Sequence, residues 1–192
     1  MNQKQSSITK WIAVTALLTA LVVVTGYIPP APLPVGRIYW CDAMIFLAAF
    51  LVDPVSAFIV GGVGTFLYDI LIGDAVMAVV SFIIHGVQAA AVSALLIVFP
   101  KKKEVLWAAV FAVIGGLIVI GGYFLWRWAI SPLFLSGDKV GLAYAISKIP
   151  ANVIQEIVGI AVGMIIVYAL RLKSILNKNN LIPHIRFGKQ GA

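Results

Sequence analysis

The sequence predicts an all-α integral membrane protein built as a six-transmembrane-helix bundle, and three observations carry that prediction. Apolar residues make up 62% of the chain and the mean hydropathy is +1.06, far from the composition of a water-soluble domain. Charged residues are only 11% of the total and gather at the ends of apolar runs. Most of the runs are about as long as a bilayer is thick and are separated by Pro, Gly and Lys.

Hydropathy and chain breakers give six segments, at about residues 8–28, 40–52, 55–72, 75–99, 105–130 and 141–170. The first stops at Pro29-Pro30, and Pro32 and Pro34 stiffen the loop that follows. Asp53-Pro54 divides the second from the third, and the turn at Gly73 divides the third from the fourth. Pro100 with Lys101, Lys102 and Lys103 ends the fourth, and Ser131-Pro132 ends the fifth. The second segment is only about 13 residues, or roughly 20 Å of helix, less than the hydrocarbon thickness. It is expected to be embedded in protein. Residues 1–172 are read as one membrane domain and 173–192 as a polar cytoplasmic tail. The apolar run at 11–28 has no small-x-small cleavage site at its end and is read as a retained first helix.

Composition and motifs also limit function. The single Cys41 leaves no intramolecular disulfide or cysteine metal cluster. The net charge of +7 lies at span ends, where it reads as a topology signal and not as a nucleic-acid surface. The chain has no G-x-x-x-x-G-K-[ST] loop and no H-E-x-x-H motif, so neither P-loop ATP binding nor a metal is expected of it. No internal repeat of the kind found in many secondary transporters is visible.

Placing both termini in the cytoplasm puts Lys4, Lys10, Lys101, Lys102, Lys103, Arg171, Lys173, Lys178, Arg186 and Lys189 inside. Only Arg37 and Lys139 fall in outer loops, which favours this orientation. The odd polar residues then collect in the outer half of the bundle. Asp42 opens span two, and Asp69 and Asp74 end span three. His85 and Gln88 lie three turns into span four, and Tyr123, Trp126, Arg127 and Trp128 end span five. In span six, Lys148, Asn152, Gln155 and Glu156 follow i, i+4, i+7, i+8 spacing and share one helix face. Polar groups in a bilayer lack water partners and normally face a protein interior or a wet cavity. The pattern predicts a cup open to the outside over an apolar floor, not a pore lined along its length. The proline-rich loop is placed as its lid.

Structural roles compete at several positions. Trp126 and Trp128 suit interfacial anchoring, and Arg127 and Lys139 suit snorkelling to headgroups. His85 suits a bond to a backbone carbonyl, Asp69 and Asp74 suit helix caps, and Glu156 suits pairing with Lys148. Small residues form strips at Ala13, Ala16 and Ala20, at Gly61-Gly62-Val63-Gly64, and at Gly159 and Gly163. Such strips let backbones approach closely. The latter two fit internal packing, and the first fits an external helical partner.

These features resemble the substrate-binding S component of an energy-coupling factor (ECF) vitamin transporter. The resemblance rests on Ala16-xxx-Ala20 and on the proline-rich loop leading to Trp40-Cys41-Asp42-Ala43-Met44. It also rests on Asp53-Pro54 followed by Gly61-Gly62-Val63-Gly64-Thr65-Phe66-Leu67-Tyr68-Asp69, and on Asn152-xx-Gln155-Glu156. It implies capture of a vitamin or precursor at the outer face of a prokaryotic plasma membrane. It further implies docking on a membrane coupling subunit driven by two ABC-type ATPases, which use the ATP and Mg. No cofactor is implied for this chain. By the same resemblance, His85, Gln88, Tyr123, Arg127, Lys148, Asn152, Gln155 and Glu156, with Arg37 and Trp40 from the first loop, are the expected substrate contacts. Ala13, Ala16 and Ala20 are the expected docking contacts. The branch resembled handles riboflavin, hydroxymethylpyrimidine or pyridoxine. A compact ring with hydroxymethyl groups ranks first and riboflavin second. Cobalt or nickel is disfavoured, because the metal branch uses N-terminal histidines. A membrane-embedded lipid-modifying enzyme and a purely structural subunit are the alternatives.

Overall fold

The structure, a computed structural model, describes residues 3–28, 31–33, 36–99 and 103–178, with side chains from residue 8 onward except at 31–38 and 177–178. Helix α1 (Gln3–Gly26) leads to a small antiparallel hairpin of β1 (Ala31–Leu33) and β2 (Gly36–Ile38). Then come α2 (Cys41–Leu51), α3 (Pro54–Leu71), α4 (Ala75–Val98) and α5 (Glu104–Leu125). A π-helical turn at Trp126–Ile130 ends α5, and α6 (Leu142–Met164) closes with a second at Ile165–Ala169. The last described helix is α7 (Leu172–Lys178), at the start of the stretch read as a tail.

Among the described residues, five of the six expected segments are helices long and apolar enough to cross a membrane. The exception is α2, whose 11 residues reach about 16 Å. It can be short because it is enclosed by protein: Ile45, Phe46 and Ala48 are fully buried. The chain is also not wholly helical, since the proline-rich loop carries the hairpin. Proline bars helix but fits an extended edge strand.

Each element is held by a local cause. On α1, Thr15, Leu18, Thr19 and Val22 are buried at i, i+3, i+4, i+7 spacing, leaving Ala13, Ala16 and Ala20 exposed. Asp53 caps α3 ahead of Pro54: its Oδ1 accepts from the Val55 and Ser56 amides at 3.0 and 3.1 Å. Its Oδ2 accepts from Trp11 Nε1 at 3.0 Å and from the Ser56 hydroxyl, tying α1 to the α2–α3 turn. Asp74 caps α4 through the Met77 amide, as its structural role requires.

The glycine strips of α3 and α6 pack inward. A Cβ on Gly61 would sit 2.5 Å from the His85 carbonyl oxygen, so α3 and α4 meet backbone to backbone. A Cβ on Gly159 would meet Asp42 Cβ at 2.9 Å, and one on Gly163 would meet Phe46 Cβ at 3.0 Å, so α6 presses on α2. At the far end of the bundle Glu104 on α5 pairs with Lys173 on α7 and accepts from the Tyr168 hydroxyl at 3.4 Å. Outward faces carry Ile12, Leu17, Val79, Ile83, Val113, Leu117 and Ile157, all exposed. Apolar exposure of this extent suits lipid and not water.

Candidate functional site

A buried polar cluster forms where α2 begins. His85 lies ten residues after Ala75, about 15 Å along α4. Asp42, in the first turn of α2, places Oδ1 3.7 Å from His85 Nδ1. Helix α2 therefore starts partway down the bundle, with the hairpin preceding it and β2 lying against α6. The truncated helix brings a carboxylate into the middle of four long ones.

The side chains connect in one direction. The Tyr123 hydroxyl meets Ser81 Oγ at 2.9 Å and His85 Nε2 at 3.1 Å. His85 Nδ1 meets Gln88 Oε1 at 2.8 Å, and Gln88 Nε2 donates to Glu156 Oε2 at 3.1 Å. A neutral imidazole with its proton on Nδ1 satisfies every link: Ser81 donates to Tyr123, Tyr123 to His85, His85 to Gln88, and Gln88 to the Glu156 carboxylate. Beside this chain, Gln155 Nε2 donates to Asp42 Oδ2 at 2.5 Å. Helix positions set the links: His85 and Gln88 are i, i+3 neighbours on α4, and Gln155 and Glu156 diverge around α6 to reach Asp42 and Gln88. Gly116 on α5 leaves room for Glu156, since a Cβ there would lie 3.3 Å from Glu156 Cβ.

Thus His85, Gln88, Tyr123, Gln155 and Glu156 are brought together as a group. His85 bonds two side chains and no backbone carbonyl. Glu156 does not pair with Lys148, whose ammonium lies over the Tyr144 ring at 5.2 Å. Arg127 lies over the Tyr123 ring at 4.9 Å, at the edge of the cluster. Asn152 is half-buried on α6, and Trp40 is half-buried immediately ahead of α2. Arg37 falls in β2, paired with Pro32, and its side chain lies outside the described ones.

Three members were not among the expected contacts: Asp42, Ser81 and Asp69. Asp42 is fully buried. Its signal was present, a carboxylate opening an apolar segment too short to span. Asp69 does not act as a cap; it is nine-tenths buried and faces Ser81. Ser81 carries no sequence signal, being a small residue in an apolar helix.

Three buried polar atoms of the described residues have no hydrogen-bond partner: Glu156 Oε1, Asp69 Oδ2 and Arg127 Nη1. All three belong to the cluster or its rim. Buried polar atoms are normally paired, and these three are the exceptions. No group of three metal-ligating side chains occurs among the described residues.

A second feature is an apolar groove of about 580 Å³ between α1 and α3. Ala16 and Ala20 line it, with Trp11, Thr15, Ile59 and Leu67. Ala13 is exposed on the same helix, beyond this lining.

Known proteins resemble the chain over most of its length. The family described as ECF-type riboflavin transporter, S component, matches residues 6–172. The thiamine precursor transporter HmpT of Lactococcus lactis subsp. cremoris (strain MG1363) is 29% identical over 171 residues, covering 88% of this chain and 92% of that protein. The crystal structure of FolT bound with folic acid superposes with a TM-score of 0.55 at 20% identity, covering 86% of this chain and 96% of FolT. At that identity the likeness establishes a shared fold.

Proposed function

Because the chain belongs to the family of ECF-type riboflavin transporter S components, membrane subunits that bind the transported vitamin, we propose that it captures a small ring-bearing vitamin or precursor at the cluster formed by α2, α4, α5 and α6. A hydroxymethylpyrimidine or pyridoxine type of ligand ranks first and riboflavin second. One observation carries this reading: Asp42, His85, Gln88, Tyr123, Gln155 and Glu156 converge inside an otherwise apolar bundle. A lattice of this kind is costly in a bilayer unless it serves a polar ligand. Lys148, Asn152, Arg127, Trp40 and Arg37 are assigned to its rim. HmpT, similar over most of its length, is named for a thiamine precursor, which supports a compact ring.

In this reading the molecule is a six-helix bundle with α2 as its short, protein-embedded sixth member. Both termini face the cytoplasm of a prokaryotic cell, and the hairpin end faces outward as a lid. The lysines at 101–103 and the basic residues after 170 support that orientation. The α1 groove with Ala16 and Ala20, extended by Ala13, receives a membrane coupling subunit. Two ABC-type ATPases supply the ATP and Mg chemistry, and the chain needs no cofactor of its own.

Isothermal titration of the purified chain against a vitamin panel tests the reading. Tight binding of one ring-bearing compound by the chain alone is expected. Silence across the whole panel overturns it.

A further inference from the structure

The line of hydrogen bonds from Ser81 to Glu156 leaves one carboxylate out. Asp69 on α3 is nine-tenths buried and faces Ser81, yet its Oδ2 has no partner. Ser81 has one proton to give, and so has Tyr123. When Tyr123 donates to a bare His85 Nε2, Ser81 must donate to Tyr123, and Asp69 receives nothing. When Ser81 turns its proton to Asp69 instead, Tyr123 must donate to Ser81, and His85 Nε2 must donate to Tyr123. The other ring nitrogen has no such choice. The Glu156 carboxylate takes a Gln88 amide N–H, so the Gln88 oxygen faces His85 and Nδ1 carries a proton. A neutral ring serves the bonded links but not Asp69. With a carboxylate at each end, only a ring that donates from both nitrogens closes the whole line.

We infer that Asp69 is a positioning residue, which through Ser81 and Tyr123 holds His85 as an imidazolium and so gives Asp42 and Glu156 their counter-charge. The groups around the ring agree with this. Asp42 of α2 places Oδ1 3.7 Å from His85 Nδ1, and Glu156 of α6 stands behind Gln88. Arg127 of α5 lies over the Tyr123 ring at 4.9 Å and, among the described residues, comes within ion-pair distance of no carboxylate. A neutral His85 would therefore leave Asp42, Glu156 and Asp69 without a cation among them inside a bilayer, where uncompensated charge is costly. Hydroxyl rotation is all that the change of direction requires, because Ser81 and Tyr123 each keep one proton. The inference takes the cluster to be the vitamin-capture site, as proposed above, but does not depend on which compound is captured. Its novelty lies in α3: a side chain outside the Ser81–Glu156 line controls the charge of a ring at its centre.

The test reads the His85 ring directly. The chain has two histidines, so His184→Gln leaves His85 as the sole signal in nitrogen NMR of the histidine-labelled, full-length chain in detergent at neutral pH. In that background two protonated ring nitrogens are expected. Asp69→Asn gives Ser81 an amide donor in place of an acceptor, and Ser81→Ala keeps the carboxylate but removes the link. Each variant is expected to show a neutral ring with its proton on Nδ1 and a bare Nε2. Misfolding cannot imitate this, because a neutral imidazole in water prefers the proton on Nε2. Any of hydroxymethylpyrimidine, pyridoxine or riboflavin that the wild type binds is expected to bind both variants about tenfold more weakly, since charge-assisted hydrogen bonds give way to neutral ones. A bare Nε2 without either substitution, a charged ring in either variant, or unchanged affinity beside a neutral ring overturns the inference. Silence toward all three compounds counts against the capture reading, and the spectra then decide whether Asp69 directs His85.

Discussion

Tyr123 shows how much one hydroxyl can hold in a medium without water. Its oxygen joins Ser81 on α4 to His85, and so links α5 to the chain that ends at Glu156. Tyr123→Phe leaves two buried partners unpaired, at a cost of about 1–3 kcal/mol each. The variant is expected to unfold at a clearly lower temperature in detergent. Adding Ser81→Ala to it should cost less than Ser81→Ala does alone, since the two side chains share a bond. Strict additivity in that cycle would mean the bond is not formed. Asp53 has a comparable role at the opposite end of α3. It satisfies two helix amides and holds Trp11, so Asp53→Ala should destabilise by about 0.5–2 kcal/mol. Single residues of this kind were legible in part. Polar side chains in apolar spans announce themselves, so His85, Gln88, Gln155 and Glu156 could be picked out. Ser81 could not, because a serine in a membrane helix is ordinary until something is placed across from it.

Among the helices, glycine position decides which faces meet. Gly61 and Gly121 make a matched pair. A methyl on Gly61 collides with the His85 carbonyl at 2.5 Å, a backbone atom that cannot rotate away. Gly61→Ala is expected to push α4 off α3, displace His85 and weaken both folding and ligand binding. Gly121, with nothing within 4 Å of its would-be Cβ, should accept alanine with no loss and a gain of about 0.5–1 kcal/mol in helix propensity. Equal behaviour of the two variants in a thermal unfolding assay would contradict the close packing. The α1 strip obeys the opposite logic, since Ala16 and Ala20 face an open groove. Ala16→Trp fills that groove, so it should abolish vesicle uptake with the coupling module while leaving ligand affinity within about twofold. Equal loss of binding would place the strip inside the fold. Periodicity exposed both kinds of strip and assigned the glycines of α3 and α6 to the interior, where Gly61, Gly159 and Gly163 meet neighbouring helices. Helix α2 was legible in kind. Its shortness was plain in the sequence, as was its need for a protein environment, and Ile45, Phe46 and Ala48 are indeed fully buried.

At the scale of the whole molecule, orientation is the property to measure. Cys41 is buried, so new surface cysteines can be labelled against a low background. Ser174 on α7 and Ser136 between α5 and α6 are exposed at opposite ends of the bundle. In intact cells an impermeant maleimide is expected to label Ser136→Cys and spare Ser174→Cys; the reverse pattern would invert the topology and remove the outward-facing site. The sequence by itself determined the solvent, the number and approximate limits of the long helices, and the list of polar residues that a bilayer cannot leave unpaired. These follow from composition and local periodicity, because lipid imposes the same demand on every helix wherever it sits. Only the tertiary structure decided which polar groups meet. Asp42 reaches His85 because α2 starts midway down the bundle, and Glu156 reaches Gln88 rather than Lys148 because Gly116 lets α5 and α6 close. Contacts between residues 43 to 113 positions apart depend on helix depth and rotation, which no local pattern encodes.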